Sequence, residues 1–148
     1  MIGIFKNNES VKQAVQGDLV KIIVNRTPFY AESGGQIGDK GLITSQDLEV
    51  SVENVRKKKN IFIHSGIVNT GVLKINSSVQ MNVTPSFRQR TTSNHTATHL
   101  LQSALKLSID SSVSQRGSLV SNDRLRFDFN APKPLTLKEL EDMEVRIN

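Results

Sequence analysis

Residues 93–101 read Ser-Asn-His-Thr-Ala-Thr-His-Leu-Leu, and the rest of the chain is organised around this segment. The apolar residues of this segment and of the residues just after it recur at the spacing of one helix face. They are Ala97, Leu100, Leu101, Ala104 and Leu105. The pattern predicts a helix that is capped by Ser93 or Asn94 and continues to Lys106, with Thr98 on its polar side.

Two histidines lie one turn apart on the predicted polar face. At about 100° per residue, His95 and His99 are separated by about 40° and can point toward one metal ion. Zinc sites use such helical pairs, but zinc takes four ligands and favours Cys or His. The chain has no Cys, and its remaining histidine is His64. The pair predicts an incomplete zinc site; the simpler alternative is two side chains that only meet water.

Composition is that of a soluble globular protein. The 148 residues suffice for one domain or two small ones, with 36% hydrophobic and 22% charged residues. No apolar run approaches a membrane span and no secretory signal opens the chain, so we expect a cytoplasmic protein without a membrane partner. The net charge of +5 favours a polyanionic partner.

The first 85 residues predict a small β-barrel, because short strands follow one another with no helix between them. The strand-like runs are residues 19–24, 48–55, 61–68, 72–75 and 79–83. Between the second and third runs, a basic hairpin tip is predicted at Arg56, Lys57, Lys58 and Lys59. This tip is either a solvated turn or a contact to phosphates.

A glycine-rich segment follows the first of these runs. Residues 34–41 contain four glycines, which predicts a loop whose backbone takes positive φ or closely approaches another group. No Gly-Lys-Ser/Thr follows at the required spacing, so a phosphate-binding P-loop is excluded.

The last part of the chain predicts two strands and a capped helix. Pro85 marks a boundary before the histidine helix. Residues 113–120 and 125–129 predict strands, and Pro132 and Pro134 break the chain after them. A capping box at Thr136 and Glu139 then starts a helix whose apolar face is formed by Leu137, Leu140, Met143 and Ile147.

These segments together resemble one known family. Residues 27–36, followed by Gly38 and Asp39, resemble the glycine-rich segment of alanyl-tRNA synthetase, and residues 95–101 resemble the zinc motif of its editing domain. The strand motifs 115–120 and 125–129 follow at matching intervals. The resemblance covers the chain from about residue 17 to its end.

The resemblance implies an α+β fold: a small β-barrel over residues 1–85 and the N-terminal part of an editing domain over residues 86–148. It implies that His95 and His99 are zinc ligands, completed by a Cys and a His from a later segment. ATP would bind only in an aminoacylation domain that precedes this chain. We therefore expect a fragment that binds zinc weakly and does not edit efficiently by itself.

The implied reaction is zinc-dependent hydrolysis of tRNA(Ala) mischarged with serine or glycine. A pocket for alanine cannot exclude glycine by size and rejects serine poorly, so a second site must cleave the wrong ester. Thr98 and Gln115 match catalytic-pocket positions of the family, where a hydroxyl and an amide suit the serine hydroxyl. The residues alone favour simpler interpretations: Thr98 is an ordinary helix residue bonded to the preceding turn, and Gln115 is a surface amide.

The implied partner is tRNA(Ala) and not DNA, with the basic run 56–59 as candidate contacts. Three alternatives remain. One is a free-standing alanyl-tRNA editing hydrolase, and another is a non-catalytic tRNA-binding β-barrel module carried by the basic run. The third is a release-factor-like loop at Gly34-Gly35-Gln36, which the flanking residues Ser33 and Ile37 fit poorly.

Overall fold

A computed structural model describes residues 1–131 and 133–148, which form eleven strands and two helices joined by turns and loops. The helices are α1 (Pro85–Ser108) and α2 (Leu137–Ile147). The strands are β1 (Gly3–Lys6), β2 (Glu9–Val11), β3 (Gln13–Val15), β4 (Leu19–Ile23), β5 (Gly41–Ser45), β6 (Leu48–Lys58), β7 (Ile61–Thr70), β8 (Val72–Lys74), β9 (Gln80–Val83), β10 (Gln115–Val120) and β11 (Leu125–Phe129). The predicted α+β class is confirmed.

These elements are divided between two units. The first comprises Met1–Ser33 and Ile37–Arg88, and the second comprises Gly34–Gln36 and Gln89–Asn148. The tip of the glycine-rich loop therefore belongs to the second unit. The identification of residues 1–85 and 86–148 as barrel and editing domains stays a prediction.

The first unit is built on an antiparallel sheet with the strand order β2-β1-β4-β7-β6-β5-β9, and β3 pairs separately with β8. No pairing within the described part of the chain joins β2 to β9, so closure into a barrel also stays a prediction. Leu48, Val50 and Val52 are buried on one face of β6, as their alternation predicts. A register shift between Val52 and Asn54 then moves the next buried position to Val55.

The basic run does not form the hairpin tip as a whole, and that prediction was wrong. β6 continues through Arg56, Lys57 and Lys58, with Lys58 opposite Ile61 in β7. The turn consists of Lys59 and Asn60, and Lys59 has a φ of +54°. A run of cations marks solvent exposure but not the end of a strand, because exposed strand positions also accept lysine.

His64 is fully buried in β7 of the first unit. Its Nε2 lies 2.8 Å from Thr27 Oγ1 and its Nδ1 lies 3.2 Å from the Ile22 carbonyl oxygen. The Phe29 ring packs edge-on against it at 5.5 Å. Burial lowers the pKa of His64 below its ordinary 6.5, although the Ile22 carbonyl partly opposes that effect. The fold therefore holds this imidazole neutral.

We expect His64 to make the first unit sensitive to acid. Below pH 6.5 the unfolded chain binds a proton at His64 that the folded chain does not, so the free energy of unfolding falls as the pH drops through 6.5 toward the lowered folded-state pKa. Urea denaturation of the chain and of His64→Gln between pH 7.5 and about pH 5 measures this. The stability of His64→Gln should depend less on pH; equal slopes would contradict the prediction.

Helix α1 begins eight residues before the predicted cap Ser93. Pro85 is its first residue, a position where a missing N–H costs nothing, and the amide of Arg88 donates to the Thr84 carbonyl. Ser93 and Asn94 are not caps: Ser93 Oγ donates to the Gln89 carbonyl within the helix. The predicted helix boundary was wrong because Pro85 starts the helix instead of separating it from the preceding strand.

The buried face of α1 also differs from the predicted apolar stripe. Ala104 and Leu105 are buried as predicted, but Leu100 is 47% exposed. Thr98, predicted on the polar side, is 7% exposed. The hydroxyl of Thr98 donates to the Asn94 carbonyl, so its polar group is satisfied inside the helix and its burial costs little.

The second unit packs α1, the β10–β11 hairpin and α2 around a core of Ala104, Leu105, Val113, Phe127 and Met143. The predicted strand 125–129 is confirmed residue for residue. The capping box is confirmed as well: Glu139 N donates to Thr136 Oγ1, and Thr136 N donates to the Glu139 carboxylate. The amide and the hydroxyl of Thr136, which both donate to the Glu139 carboxylate, and the Lys133 ammonium beside it lower the pKa of Glu139 to about 2.

The apolar face predicted for α2 is only partly buried. Met143 is in the core and Ile147 packs against it, whereas Leu137 is 79% exposed and Leu140 is 46% exposed. Pro132, predicted to break the chain, lies outside the described residues.

Candidate functional site

Three parts of the second unit form one connected arrangement that includes the histidine pair. Helix α1 supplies His95 and His99, the loop tip Gly34–Gln36 supplies an amide side chain, and strand β10 supplies Gln115 and Ser118. The loop tip pairs with the end of β10 through a bridge between Gln36 and Val120.

The two imidazole rings lie side by side. Their centroids are 5.0 Å apart and their planes differ by 22°, as expected for side chains one helical turn apart. His95 is half-buried and His99 is exposed, and neither belongs to the apolar core of the unit. The pair therefore has an open side at which a third group can bind.

The contact with Gln36 selects one tautomer of His95. Nδ1 of His95 lies 2.5 Å from Oε1 of Gln36, and because an amide oxygen only accepts, Nδ1–H must be the donor. In the neutral ring this leaves the lone pair on Nε2. Metal-binding histidines have the same arrangement, in which one nitrogen donates to an outer partner and the other faces the metal.

The loop tip that carries Gln36 is held against β10. The amide of Val120 donates to the Gly35 carbonyl at 2.8 Å, and Ser118 Oγ donates to the Gly34 carbonyl at 3.4 Å. Gly35 has a φ of +83°, and a Cβ on it would lie 2.5 Å from the backbone oxygen of Ser118. Glycine is therefore required here both by backbone conformation and by space, as the sequence predicted for this loop.

Gln115 is linked by hydrogen bonds to the loop tip, whereas the hydroxyl of Thr98 bonds within helix α1. The exposed Gln115 donates from Nε2 to Ser118 Oγ at 2.9 Å, the same serine that contacts the loop tip. Thr98 Oγ1 donates to the Asn94 carbonyl at 2.9 Å, and Asn94 Nδ2 donates to the Ser121 carbonyl. The catalytic roles predicted for Thr98 and Gln115 stay predictions.

The metal ligands that the described residues offer are limited to the pair. Within residues 1–131 and 133–148, no three His, Cys, Asp or Glu side chains are grouped as a metal site needs. The two imidazoles fit half of a four-ligand zinc set, and the hydrogen bond from His95 fits the nitrogen chemistry of such a ligand. The predicted zinc site therefore stays a prediction, and the two histidines fit it.

The basic run lies in the first unit. Arg56 Nε is 3.2 Å from the Glu32 carboxylate, and Lys57 Nζ is 5.3 Å from the centroid of the Phe62 ring. Lys58 and Lys59 are exposed. Their role in tRNA binding stays a prediction.

Sequence reasoning missed Gln36 as a site residue. Gln36 lies within the glycine-rich motif, but no pattern in the sequence places it beside a histidine 59 positions later in the chain. The glycines were the feature that could have indicated it. A loop whose backbone must approach another strand closely also places its neighbouring side chain beside that strand.

Neither helix in the described part of the chain is long and apolar enough to cross a membrane.

Comparison with known proteins agrees with the motifs. The profile of the family described as tRNA synthetases class II (A) matches residues 1–86. Alanine–tRNA ligases from Prochlorococcus marinus strains NATL1A and NATL2A are each 97% identical over all 148 residues, and the chain spans 17% of their length. An alanine–tRNA ligase from Microcystis aeruginosa is 51% identical over 140 residues, or 95% of the chain and 16% of that protein. The resemblance to alanyl-tRNA synthetase is thereby confirmed, and the chain belongs to the class II (A) tRNA synthetase family.

Proposed function

We propose that this chain is a segment of an alanine–tRNA ligase, a cytoplasmic enzyme that attaches alanine to tRNA(Ala) with ATP. Within it, the second unit contributes to a zinc-dependent editing site that hydrolyses seryl- and glycyl-tRNA(Ala). The observation that carries the editing proposal is the side-by-side pair His95 and His99, with His95 Nδ1–H donated to Gln36. ATP would bind to a part of the ligase outside this chain.

His95 and His99 would hold the zinc through ring nitrogens, together with ligands from elsewhere in the ligase. A bound zinc ion supplies Lewis-acid chemistry, either on water or on the ester substrate. Gln36 keeps His95 in the tautomer that presents Nε2, so the ligand nitrogen is available before the metal arrives.

Gln115 and Thr98 are proposed to recognise the serine hydroxyl. Gln115 donates from Nε2 to Ser118 Oγ, which leaves its Oε1 as an acceptor. The Thr98 proton is donated to the Asn94 carbonyl, so toward a substrate Thr98 also acts as an acceptor. A serine hydroxyl can donate to either oxygen, whereas the methyl group of alanine has no donor, so correctly charged tRNA gains nothing at this site.

A chimeric ligase tests the proposal. The 148 residues replace the matching segment of the Prochlorococcus marinus NATL1A alanine–tRNA ligase, to which they are 97% identical. We expect the chimera to hydrolyse seryl-tRNA(Ala), to lose that hydrolysis when zinc is removed by a chelator, and to regain it when zinc returns. Alanylation of tRNA(Ala) by the same preparation is the control for the intact ligase. Hydrolysis that is unchanged after the metal is removed would refute a zinc role.

A further inference from the structure

The first unit carries a groove that the editing proposal does not use. It has a volume of about 670 Å³, and its lining includes Tyr30, Phe62, Lys57, Lys59, Arg88 and Glu32. We propose that this groove binds the unpaired end of an RNA, with bases stacked on the aromatic rings and phosphates held by the two lysines. That the RNA is a tRNA rests on the proposed function; the binding chemistry does not.

Tyr30 provides a fixed stacking surface. The residue is 39% exposed, and its hydroxyl donates to the Ser33 carbonyl at 3.3 Å. Its backbone amide donates to the buried carboxylate of Asp39 at 2.6 Å, and the Asp39 amide donates back to the Tyr30 carbonyl at 3.0 Å. The backbone of Tyr30 and the hydroxyl at the end of its ring are therefore both held before any base arrives, so stacking loses little side-chain freedom.

The alternation of β6 divides the basic run between two faces. Lys57 pairs with Phe62 across the hairpin and its Nζ lies 5.3 Å from that ring, so both side chains are on the groove side. Successive strand residues point to opposite faces, which places Lys58 with Ile61 on the other side. Lys59, in the turn, again lines the groove.

The other charges near the groove are already matched. Arg88 Nε donates to Asp39 at 3.0 Å and its Nη2 donates to the Pro28 carbonyl at 3.0 Å. Glu32 is paired with Arg56. The excess positive charge in the groove therefore comes from Lys57 and Lys59.

An exposed aromatic ring beside two lysines favours single-stranded RNA over an RNA duplex. Bases of a duplex are stacked on one another and offer no free face to a tyrosine, whereas an unpaired end can place its bases on aromatic side chains. Two lysines beside the rings match the phosphates that link such bases.

The test uses the 148-residue chain and a fluorescent single-stranded RNA tetranucleotide at several salt concentrations. We expect Tyr30→Leu to weaken binding about tenfold, and Tyr30→Phe, which keeps the ring and loses only the bond to Ser33, to weaken it much less. We expect Lys57→Ala to reduce the slope of log K against log salt by about 0.7, the value for one lost phosphate contact on a single strand. Because Lys57 is exposed, its variant remains informative if Tyr30→Leu fails to fold.

Lys58→Ala is the matched comparison, since it removes the same charge from the next residue on the opposite face. It should weaken binding clearly less than Lys57→Ala. Equal losses of RNA affinity from Lys57→Ala and Lys58→Ala would overturn the proposal that the groove binds RNA. A blunt RNA duplex that binds as tightly as the single strand would also overturn it. The binding assay measures no hydrolysis, so the two proposals are tested independently. An inactive chimeric ligase would not affect the RNA-binding result, and a groove that binds no RNA would not affect the editing result.

Discussion

The double substitution His95→Ala/His99→Ala is expected to lower seryl-tRNA(Ala) hydrolysis by the chimeric ligase at least about 100-fold. Loss of an outer partner of a metal ligand typically costs about 10- to 100-fold, and loss of two ligands removes the metal itself. The rings stand 5.0 Å apart with an open side, so neither substitution creates a hole in the core of the unit. Single-turnover deacylation of seryl-tRNA(Ala) measures the effect.

His64→Gln is the matched control for this variant. It also removes a histidine, but one that is fully buried in the first unit and bonded to Thr27 and Ile22. Its hydrolysis rate should stay close to that of the parent chimera at pH 7.5, and alanylation should continue in both variants. Hydrolysis by the double-alanine variant within about twofold of the parent would contradict a ligand role, because lost ligands cost far more.

Gly35→Ala is expected to reduce hydrolysis about 10- to 100-fold while both histidines remain in place. A Cβ at this position would lie 2.5 Å from the Ser118 backbone oxygen, so the loop tip must move away from β10. That movement breaks the bond between the Val120 amide and the Gly35 carbonyl and withdraws Gln36 from His95. The His95 ring then loses the partner that holds Nδ1 protonated.

Gly34→Ala separates this effect from backbone strain. Gly34 also has positive φ, +59°, but nothing lies within 4 Å of an added Cβ. Both variants carry the cost of alanine in the left-handed region, about 1–2 kcal/mol, and only Gly35→Ala meets Ser118. The deacylation rate should therefore fall much further for Gly35→Ala than for Gly34→Ala; equal rates would show that the Ser118 contact does not position Gln36.

Local signals were enough to predict several elements. Strand β11 follows directly from its alternating Leu-Arg-Phe-Asp-Phe, and α2 follows from the capping box of Thr136 and Glu139. Both depend on residues within a few positions of one another. Positive φ or a close approach in the glycine-rich loop was predicted for the same reason, since glycine composition alone indicates it, and Gly35 has both.

Features that depend on distant partners were not predictable in this way. The buried face of α1 is set by what packs against it, so Thr98 is buried and Leu100 is exposed despite their polarity. The end of β6 is set by its pairing with β7, which carries Lys58 into the strand. Gln36 reaches His95 only through the contact of its loop with β10, which no local pattern encodes.

The most direct test of the histidine pair is a long-range ¹H–¹⁵N NMR spectrum of its ring nitrogens, recorded while zinc is added to the 148-residue chain. We predict that His95 is protonated at Nδ1 before zinc is added. With two ligands the chain should bind zinc weakly, and the zinc should shift His95 and His99 together while His64, buried in the first unit, is unchanged. A proton on Nε2 of His95, or zinc that leaves both rings unshifted, would contradict the proposed metal site.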